Sequence, residues 1–203
     1  HRDIPEQAKL LSLQSGQQVG RIHAKLAQLP SHLERFDCRN NRLAMAALEQ
    51  LRPVFDTAVA RYGESRIGVV MGTSTSGIAA TEVAMRTLRL QGNYPKGYHA
   101  IQGTLGGLGE FVAAYLGTTG PVSTVSTACS SSGNAILSAR RLLSLGLCDA
   151  VVVGGVDSLC ELTLQGFDAL DALSRGYCKP LTVYRDGINI GEAAAIFLLS
   201  KEP

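Results

Sequence analysis

The sequence has few aromatic residues and little net charge. Aromatic residues make up 5% of the 203 residues and tryptophan is absent, whereas glycine occurs 22 times. Because glycine lets segments approach closely, this composition predicts many tight turns between strands and helices rather than a core of large rings. A formal net charge of +2 gives no reason to expect nucleic-acid binding. Hydrophobic residues at 45% and charged residues at 18% are typical of a globular chain.

Long apolar runs and paired cysteine motifs are also missing. No stretch approaches the roughly 18–20 apolar residues that a membrane-spanning helix needs, and no secretory signal opens the chain, so we expect a cytoplasmic protein. The cysteines are odd in number and show no Cys-x-x-Cys or Cys/His ligand spacing, which disfavours a disulfide framework or a zinc site. They are Cys38, Cys129, Cys148, Cys160 and Cys178. We expect all except Cys129 to pack as small apolar residues.

Apolar runs of strand length alternate with segments of helical spacing. Strands are predicted at residues 67–71, 121–127, 150–155 and 193–199. Helices are predicted at residues 40–60 and 78–90, after the glycine cluster at 103–109 as far as Leu116, and from 130 to about 146, with weaker ones at 3–13 and 17–29. Apolar strands separated by helices predict an α/β fold, with a mostly parallel sheet that has helices on both faces.

A glycine cluster at residues 103–109 has two interpretations. Its Gly-x-x-Gly-Gly spacing resembles a phosphate-binding loop, but the lysine of such a loop is missing and no buried strand precedes the cluster. We therefore expect these glycines to allow close helix packing near the site rather than to bind a nucleotide.

Cys129 lies where a strand-like run changes into a helix-like run. The residues before it, 121–127, are rich in β-branched side chains, and those from Ser130 onward carry apolar residues at helical spacing. The unpaired N–H groups and the dipole of a helix N-terminus favour a thiolate over a thiol, and the same N–H groups can hold a developing oxyanion. This junction resembles a nucleophile elbow. A lone cysteine is more often a small core residue, but the placement favours a nucleophile.

Several other polar residues have a structural interpretation beside a chemical one. Asp186 and Glu192 could form an acid–base pair, but the run from Arg185 to Gly187 is more typical of a hydrogen-bonded turn. Thr127 and Ser130 flank Cys129, where we expect them to set the turn without a chemical step. Thr73 and Ser74, at the end of a strand, could approach a substrate arm, but a helix-capping role is simpler. Asp157 and Asp168 are expected to be caps or surface charges.

Four motifs, in the expected order, resemble the β-ketoacyl-[acyl-carrier-protein] synthase family. They run over residues 126–133 around Cys129, 149–157, 166–174 and 185–194. The resemblance extends over roughly residues 66–203, while residues 1–65 resemble the family only loosely. It implies a thiolase-like fold, in which two similar halves form five alternating α and β layers.

The resemblance also implies a reaction. The matched cysteine, here Cys129, takes an acyl chain from the phosphopantetheine of an acyl carrier protein as a thioester. Malonyl-carrier protein then loses carbon dioxide, and its carbanion attacks that thioester in the Claisen condensation of fatty-acid or polyketide-type biosynthesis. No resident cofactor or metal is implied. The implied partners are the carrier protein and a second synthase subunit, as a homodimer or heterodimer that pairs through the strand before the cysteine.

The resemblance covers about half of the family's usual length. We interpret residues 1–203 as an N-terminal half that lacks its first strand, with the C-terminal half absent from this chain. The two histidines and the lysine that complete the family's catalytic set belong to that second half, and none of this chain's four histidines matches them. An alternative is a non-catalytic, chain-length-factor-like partner subunit, although such subunits usually lack the cysteine. A thiolase or a hydrolase is a third interpretation, which the motif at residues 185–194 disfavours.

Overall fold

The computed structural model describes residues 18–201, which divide into two compact units. The larger unit takes in Ala24–Ser158 together with residues 193–201. The smaller unit takes in Leu159–Glu192 together with residues 18–23. Within residues 18–201, no helix is long and apolar enough to cross a membrane. The same residues contain no cluster of three or more histidine, cysteine or acidic side chains that could hold a metal ion.

The larger unit is built on a four-stranded sheet in the order β2-β1-β3-β4. The strands are β1 (Ile67–Gly72), β2 (Val122–Val125), β3 (Ala150–Asp157) and β4 (Ala193–Ser200). Strand β1 pairs in parallel with both β2 and β3, while β4 pairs antiparallel with β3. The prediction of a mostly parallel sheet is confirmed. Each predicted strand is present, with ends that differ by a few residues from those predicted.

Four helices belong to the larger unit and one to the smaller. They are α1 (Arg39–Tyr62), α2 (Ile78–Gln91), α3 (Gly107–Leu116), α4 (Ser131–Ser144) and, in the smaller unit, α5 (Glu161–Ala169). Short 3-10 turns lie at Ser31–Phe36, Glu64–Arg66 and Ala100–Gly103. Helix α1 continues through Pro53. Left-handed glycines end two of the helices, with Gly92 after α2 and Gly117 after α3.

The helix predicted at residues 17–29 is wrong. Residues 18–29 contain no helix. Instead, the N–H of Gly20 donates to the carbonyl of Ile190 (2.9 Å), and the N–H of Glu192 donates to the carbonyl of Gly20 (2.9 Å). This pairing with a segment far along the chain overrides the weak helical pattern. The helix predicted at residues 3–13 lies outside the described residues.

The core of the larger unit lies on both faces of the sheet. Strands β1 and β3 are buried almost throughout their length. On one face, Val70, Val151 and Val153 pack against apolar side chains of α4. Helices α1 and α3 also contact the sheet, and the rings of Phe36 and Phe111 meet with centroids 6.1 Å apart. Because both faces of the central strands are covered, their carboxyl ends are held in fixed positions.

Candidate active site around Cys129

Cys129 is exposed at the carboxyl end of the sheet. Strand β2 ends at Val125, helix α4 begins at Ser131, and Cys129 lies in the turn between them. The structure describes all five cysteines, of which three are buried and Cys178 is half-buried. Burial raises the pKa of the Cys38 thiol to about 11, and it also raises the pKa of Cys148. Cys129 is therefore the thiol that a molecule from solvent reaches most readily.

The residue before Cys129 has a backbone conformation that side chains rarely adopt. Ala128 has a φ of 52°, in the left-handed region that favours glycine. This conformation costs roughly 1–2 kcal/mol for a residue with a Cβ, so other contacts must hold it. Part of the hold comes from Ser131, whose hydroxyl donates to the Ala128 carbonyl (2.6 Å) and accepts from the N–H of Thr127 (2.9 Å).

A second set of hydrogen bonds closes the turn on its solvent side. The hydroxyl of Ser130 donates to the carbonyl of Thr127 (2.7 Å). The side-chain amide of Asn134 donates to the hydroxyl oxygens of Thr127 (2.8 Å) and Ser130 (3.2 Å). The prediction that Thr127 and Ser130 set the turn is confirmed.

The first turn of α4 leaves backbone donors beside Cys129. The N–H of Ser131 donates to the carbonyl of Ala128 (3.1 Å), and that of Asn134 donates to the carbonyl of Ser130 (3.0 Å). Within residues 18–201 the N–H groups of Ser132 and Gly133 have no backbone carbonyl as a hydrogen-bond partner, as expected for the first turn of a helix. We call the turn at residues 127–131, which carries Cys129, the elbow. These donors and the positive end of the helix dipole favour negative charge next to it.

Two glycines allow α4 to start directly against the sheet. Gly72 and Gly155 are register partners at the carboxyl ends of β1 and β3. A Cβ on Gly72 would lie 2.7 Å from the backbone of Ser131 and Ser132, and one on Gly155 would collide with the hydroxyl of Ser132. The absence of side chains at these two positions therefore fixes where the helix begins, and with it the position of Cys129.

The glycine cluster at residues 103–109 allows close packing near β2, in the same part of the larger unit. A Cβ on Gly109 would lie 2.6 Å from the Thr124 hydroxyl, which also accepts a hydrogen bond from the Gly109 N–H (3.1 Å). A Cβ on Gly107 would collide with the carbonyl of Ile101. The predicted close packing is confirmed: Gly109 brings α3 against β2, the strand that leads to Cys129, and Gly107 brings α3 against the 3-10 turn at Ala100–Gly103.

Asp157 has a structural role that the sequence analysis missed. One carboxylate oxygen, Oδ1, accepts from the N–H groups of Ser74 (2.7 Å) and Thr75 (2.9 Å) and from the hydroxyls of Thr73 (3.0 Å) and Thr75 (3.0 Å). Ser74 in turn donates its hydroxyl to the carbonyl of Ala128 (2.9 Å). Neither Thr73 nor Ser74 caps α2, so that prediction is wrong. The sequence signal for this contact is a polar loop directly after β1 and an acidic residue at the end of β3. Neighbouring parallel strands end at the same edge of a sheet, so these two segments lie close together.

The acidic residues of the last motif lie in the smaller unit. Asp186 accepts from the Ser174 hydroxyl (2.8 Å), and this hydrogen bond lowers the pKa of Asp186. Buried Glu192 accepts from the backbone N–H groups of Ile22 (2.9 Å) and Leu159 (3.4 Å). Both carboxylates therefore hold loops, which favours the structural interpretation over an acid–base pair.

These features define a class of protein with an α/β fold and an exposed cysteine on a hydrogen-bonded elbow before a helix. The family model described as "Beta-ketoacyl synthase, N-terminal domain" matches residues 21–203. The chain therefore belongs to the β-ketoacyl synthase family, whose members are condensing enzymes of the acyltransferase type. Its fold is the thiolase-like fold of the ketosynthases.

Curated relatives share about a third of their residues with the matched part of the chain. Nodulation protein E of Rhizobium meliloti (strain 1021) is 33% identical over 136 residues, which are 66% of this chain and 34% of that protein. The 3-oxoacyl-[acyl-carrier-protein] synthase 2 of the same strain is 35% identical over 143 residues, again 66% of this chain and 34% of that protein. The matched part of the chain thus spans about a third of the length of these relatives.

Solved structures match over nearly the whole chain. One is a chain of the complex between the ketosynthase ApeO and its chain length factor ApeC from Xenorhabdus doucetiae. It is 43% identical with a TM-score of 0.89, over 96% of this chain and 49% of that chain. A β-ketoacyl synthase from Burkholderia phymatum STM815 is 23% identical with a TM-score of 0.78, over 90% of this chain and 47% of that chain, and this likeness shows the fold alone.

Proposed function

We propose that the protein is a β-ketoacyl-[acyl-carrier-protein] synthase and that Cys129 carries the growing acyl chain. One observation carries this proposal: Cys129 is exposed on a hydrogen-bonded elbow beside the N-terminus of α4. The pathway would be of the fatty-acid or polyketide type, as in the relatives that are named 3-oxoacyl-[acyl-carrier-protein] synthases.

The chemistry suits a cysteine. The Cys129 sulfur attacks the carbonyl carbon of an acyl thioester, a new S–C bond forms, and the phosphopantetheine thiol of the carrier protein leaves. Because one thioester replaces another, the exchange is nearly isoenergetic and the thiolate is also a good leaving group in the second step. That step forms a C–C bond as malonyl-carrier protein loses carbon dioxide, and it releases Cys129. A serine ester would react less readily with a carbon nucleophile.

The backbone around Cys129 can stabilise the intermediate. Attack on a thioester places negative charge on its carbonyl oxygen, and preorganised N–H donors lower the energy of that charge. The resemblance assigns one such donor to the N–H of Cys129 itself. The first turn of α4 adds the favourable end of its dipole.

The rest of the catalytic set would come from a second half of the protein. We propose that residues 1–203 are the N-terminal half and that two histidines and a lysine of a C-terminal half assist decarboxylation. The described histidines, His23, His32 and His99, are exposed, and none of them matches a catalytic histidine position of the family. An acyl carrier protein and a second synthase subunit would be the partners.

A chain-length-factor-like subunit is the second candidate function. It is favoured by the likeness to a chain from a complex that contains both a ketosynthase and a chain length factor. Such a subunit would shape a partner's acyl pocket without itself forming an acyl intermediate. The exposed cysteine on its elbow argues against this function, because a subunit without an acyl intermediate has no use for it.

Condensation by the whole native polypeptide tests the two candidates. The polypeptide is assayed with an acyl-carrier protein and malonyl-carrier protein, alone and mixed with a candidate partner subunit. We expect Cys129→Ala to abolish product, and Cys178→Ala, which changes a half-buried cysteine of the smaller unit, to leave product formation unchanged. If condensation with the partner persists in Cys129→Ala, the synthase proposal is contradicted and the chain-length-factor role is supported.

A further inference from the structure

We propose that Asp157 and Ser74 are positioning residues for Cys129. They act by holding the carbonyl of Ala128, the residue that precedes the nucleophile. The inference rests on the proposed function of Cys129, and it assigns a task to two residues outside the elbow. All the residues involved belong to the larger unit.

Asp157 fixes the loop that follows β1. Its Oδ1 accepts four hydrogen bonds from three consecutive residues, Thr73, Ser74 and Thr75, at 2.7–3.0 Å. Hydrogen bonds to a carboxylate are stronger than those between neutral groups, and Thr73 and Thr75 are almost fully buried. The loop is therefore rigid where Ser74 emerges from it.

Ser74 connects this loop to the elbow. Its side chain is exposed, and its hydroxyl donates to the Ala128 carbonyl at 2.9 Å. Two other donors on that carbonyl, the hydroxyl (2.6 Å) and the N–H (3.1 Å) of Ser131, belong to α4 itself. Within the described residues, the Ser74 bond is thus the contact that ties this carbonyl to a separate element.

The Ala128 carbonyl determines how Cys129 is presented. It belongs to the same peptide plane as the Cys129 N–H, because the peptide bond is planar. A rotation of that plane would move the N–H that we assign to the oxyanion and change the direction of the Cys129 side chain. Oxyanion donors act only at about 2.7–3.1 Å from the developing charge, and misplacement by about 1 Å can reduce a rate by about 100-fold. The left-handed Ala128 needs such restraint, since its φ of 52° is unfavourable.

The test uses four variants of the whole native polypeptide and one control. Ser74→Ala removes the bridging hydroxyl and Asp157→Ala removes the acceptor, whereas Ser74→Thr keeps a hydroxyl and Asp157→Asn keeps an oxygen in the place of Oδ1. Thr87→Ala is the matched control, because it also removes a hydroxyl-to-carbonyl hydrogen bond (2.9 Å, to Val83) from an exposed site, but on α2.

Two measurements are made on each variant. Hydrogen exchange of the peptide covering residues 126–134 reports the turn itself, and the rate of acyl transfer from an acyl-carrier protein to Cys129 reports its function. We expect exchange to rise about fivefold in Ser74→Ala, the effect of one lost hydrogen bond, and by at least as much in Asp157→Ala, which removes the acceptor of four. We expect acyl transfer to fall about tenfold or more in the same two variants. Ser74→Thr and Asp157→Asn should lie closer to the unsubstituted protein, and Thr87→Ala should match it.

Two results would overturn the positioning role. One is unchanged exchange in Ser74→Ala, which is an exposed substitution that should fold normally. The other is faster exchange with unchanged acyl transfer, because the turn would then move without effect on Cys129. If the unsubstituted protein accepts no acyl group, the proposed function fails, and the exchange data alone decide whether Ser74 and Asp157 hold the turn.

Discussion

At the scale of single residues, Gly72 controls how closely α4 approaches the sheet. An added Cβ would lie 2.7 Å from backbone atoms of Ser131 and Ser132, which cannot move without shifting the start of the helix. At Gly155 the obstacle is the hydroxyl of Ser132, the end of a side chain that can rotate. The two neighbouring glycines should therefore differ in their tolerance of alanine.

We predict that Gly72→Ala lowers the free energy of unfolding by about 1–3 kcal/mol, the usual cost of overpacking. Gly155→Ala should cost less. Gly166→Ala is the control, because its Cβ would meet nothing within 4 Å on α5 and alanine favours a helix by about 1 kcal/mol over glycine. Urea unfolding of the three variants measures these differences. A Gly72→Ala variant as stable as Gly166→Ala would contradict the packing described here.

The sequence was sufficient to locate Cys129 but not Asp157. Cys129 stands between a β-branched run and a helical run, and both patterns are local. Asp157 acts on residues that lie 82 to 84 positions earlier in the chain, and their meeting depends on β1 and β3 being neighbours. Residue types alone did not reveal that pairing, so Asp157 was expected to be a cap or a surface charge.

At the scale of elements, Arg66 links the start of β1 to the turn that precedes β3 by hydrogen bonds and an ion pair. Its guanidinium donates to both carboxylate oxygens of Asp149 (2.7 and 3.1 Å) and to the carbonyl of Gly146 (2.8 Å). The hydrogen bond from Arg66 lowers the pKa of Asp149. The ion pair therefore stabilises the fold when Asp149 is ionised, above the usual carboxyl pKa of about 4.

We predict that Asp149→Asn lowers the free energy of unfolding at pH 7. The difference from the unsubstituted protein should shrink as the pH falls through the lowered pKa of Asp149, because the native carboxylate then becomes protonated too. Urea unfolding at pH 7 and near pH 3 measures it. Asp56→Asn removes an exposed ion pair with Arg52 within α1 and should change little. An equal loss in Asp149→Asn at both pH values would contradict the role of the charge.

Helices and strands with strong local patterns could be predicted, whereas weakly patterned segments could not. The fully apolar runs that became β1 and β3 were predicted because buried parallel strands need such side chains. Residues 18–29 were predicted as helix on a weak pattern, and the pairing of Gly20 with the segment around Gly191 decided otherwise. The antiparallel direction of β4 also depends on pairing, which periodicity does not encode.

At the scale of the whole molecule, β2 lies at an edge of the described sheet. The carbonyl of Pro121, just before β2, accepts from the N–H of Val69 in β1 (2.8 Å), and the carbonyl of Val125 accepts from the N–H of Thr73, just after β1 (3.1 Å). Because successive strand residues point their N–H groups to alternate sides, the N–H of Val122 points away from β1. Val122 is also 42% exposed. This edge suits the subunit pairing that we propose.

We predict that Val122→Pro weakens subunit association of the native polypeptide about tenfold or more, since proline removes an outward N–H without breaking a bond to β1. Val122→Thr is the matched control, because it keeps the N–H and a β-branched side chain. Sedimentation over a range of protein concentrations gives the two dissociation constants. Equal constants for the two variants would show that the subunits do not pair through this strand.

The most direct test of the account is the mass of the peptide that contains Cys129 after the native polypeptide meets an acyl-carrier protein. We predict that this peptide gains the mass of the acyl group, that hydroxylamine removes it as expected for a thioester, and that Cys129→Ala gains nothing. An acyl group found on another residue, or an adduct that persists in Cys129→Ala, would contradict the claim that the elbow presents Cys129 as the nucleophile.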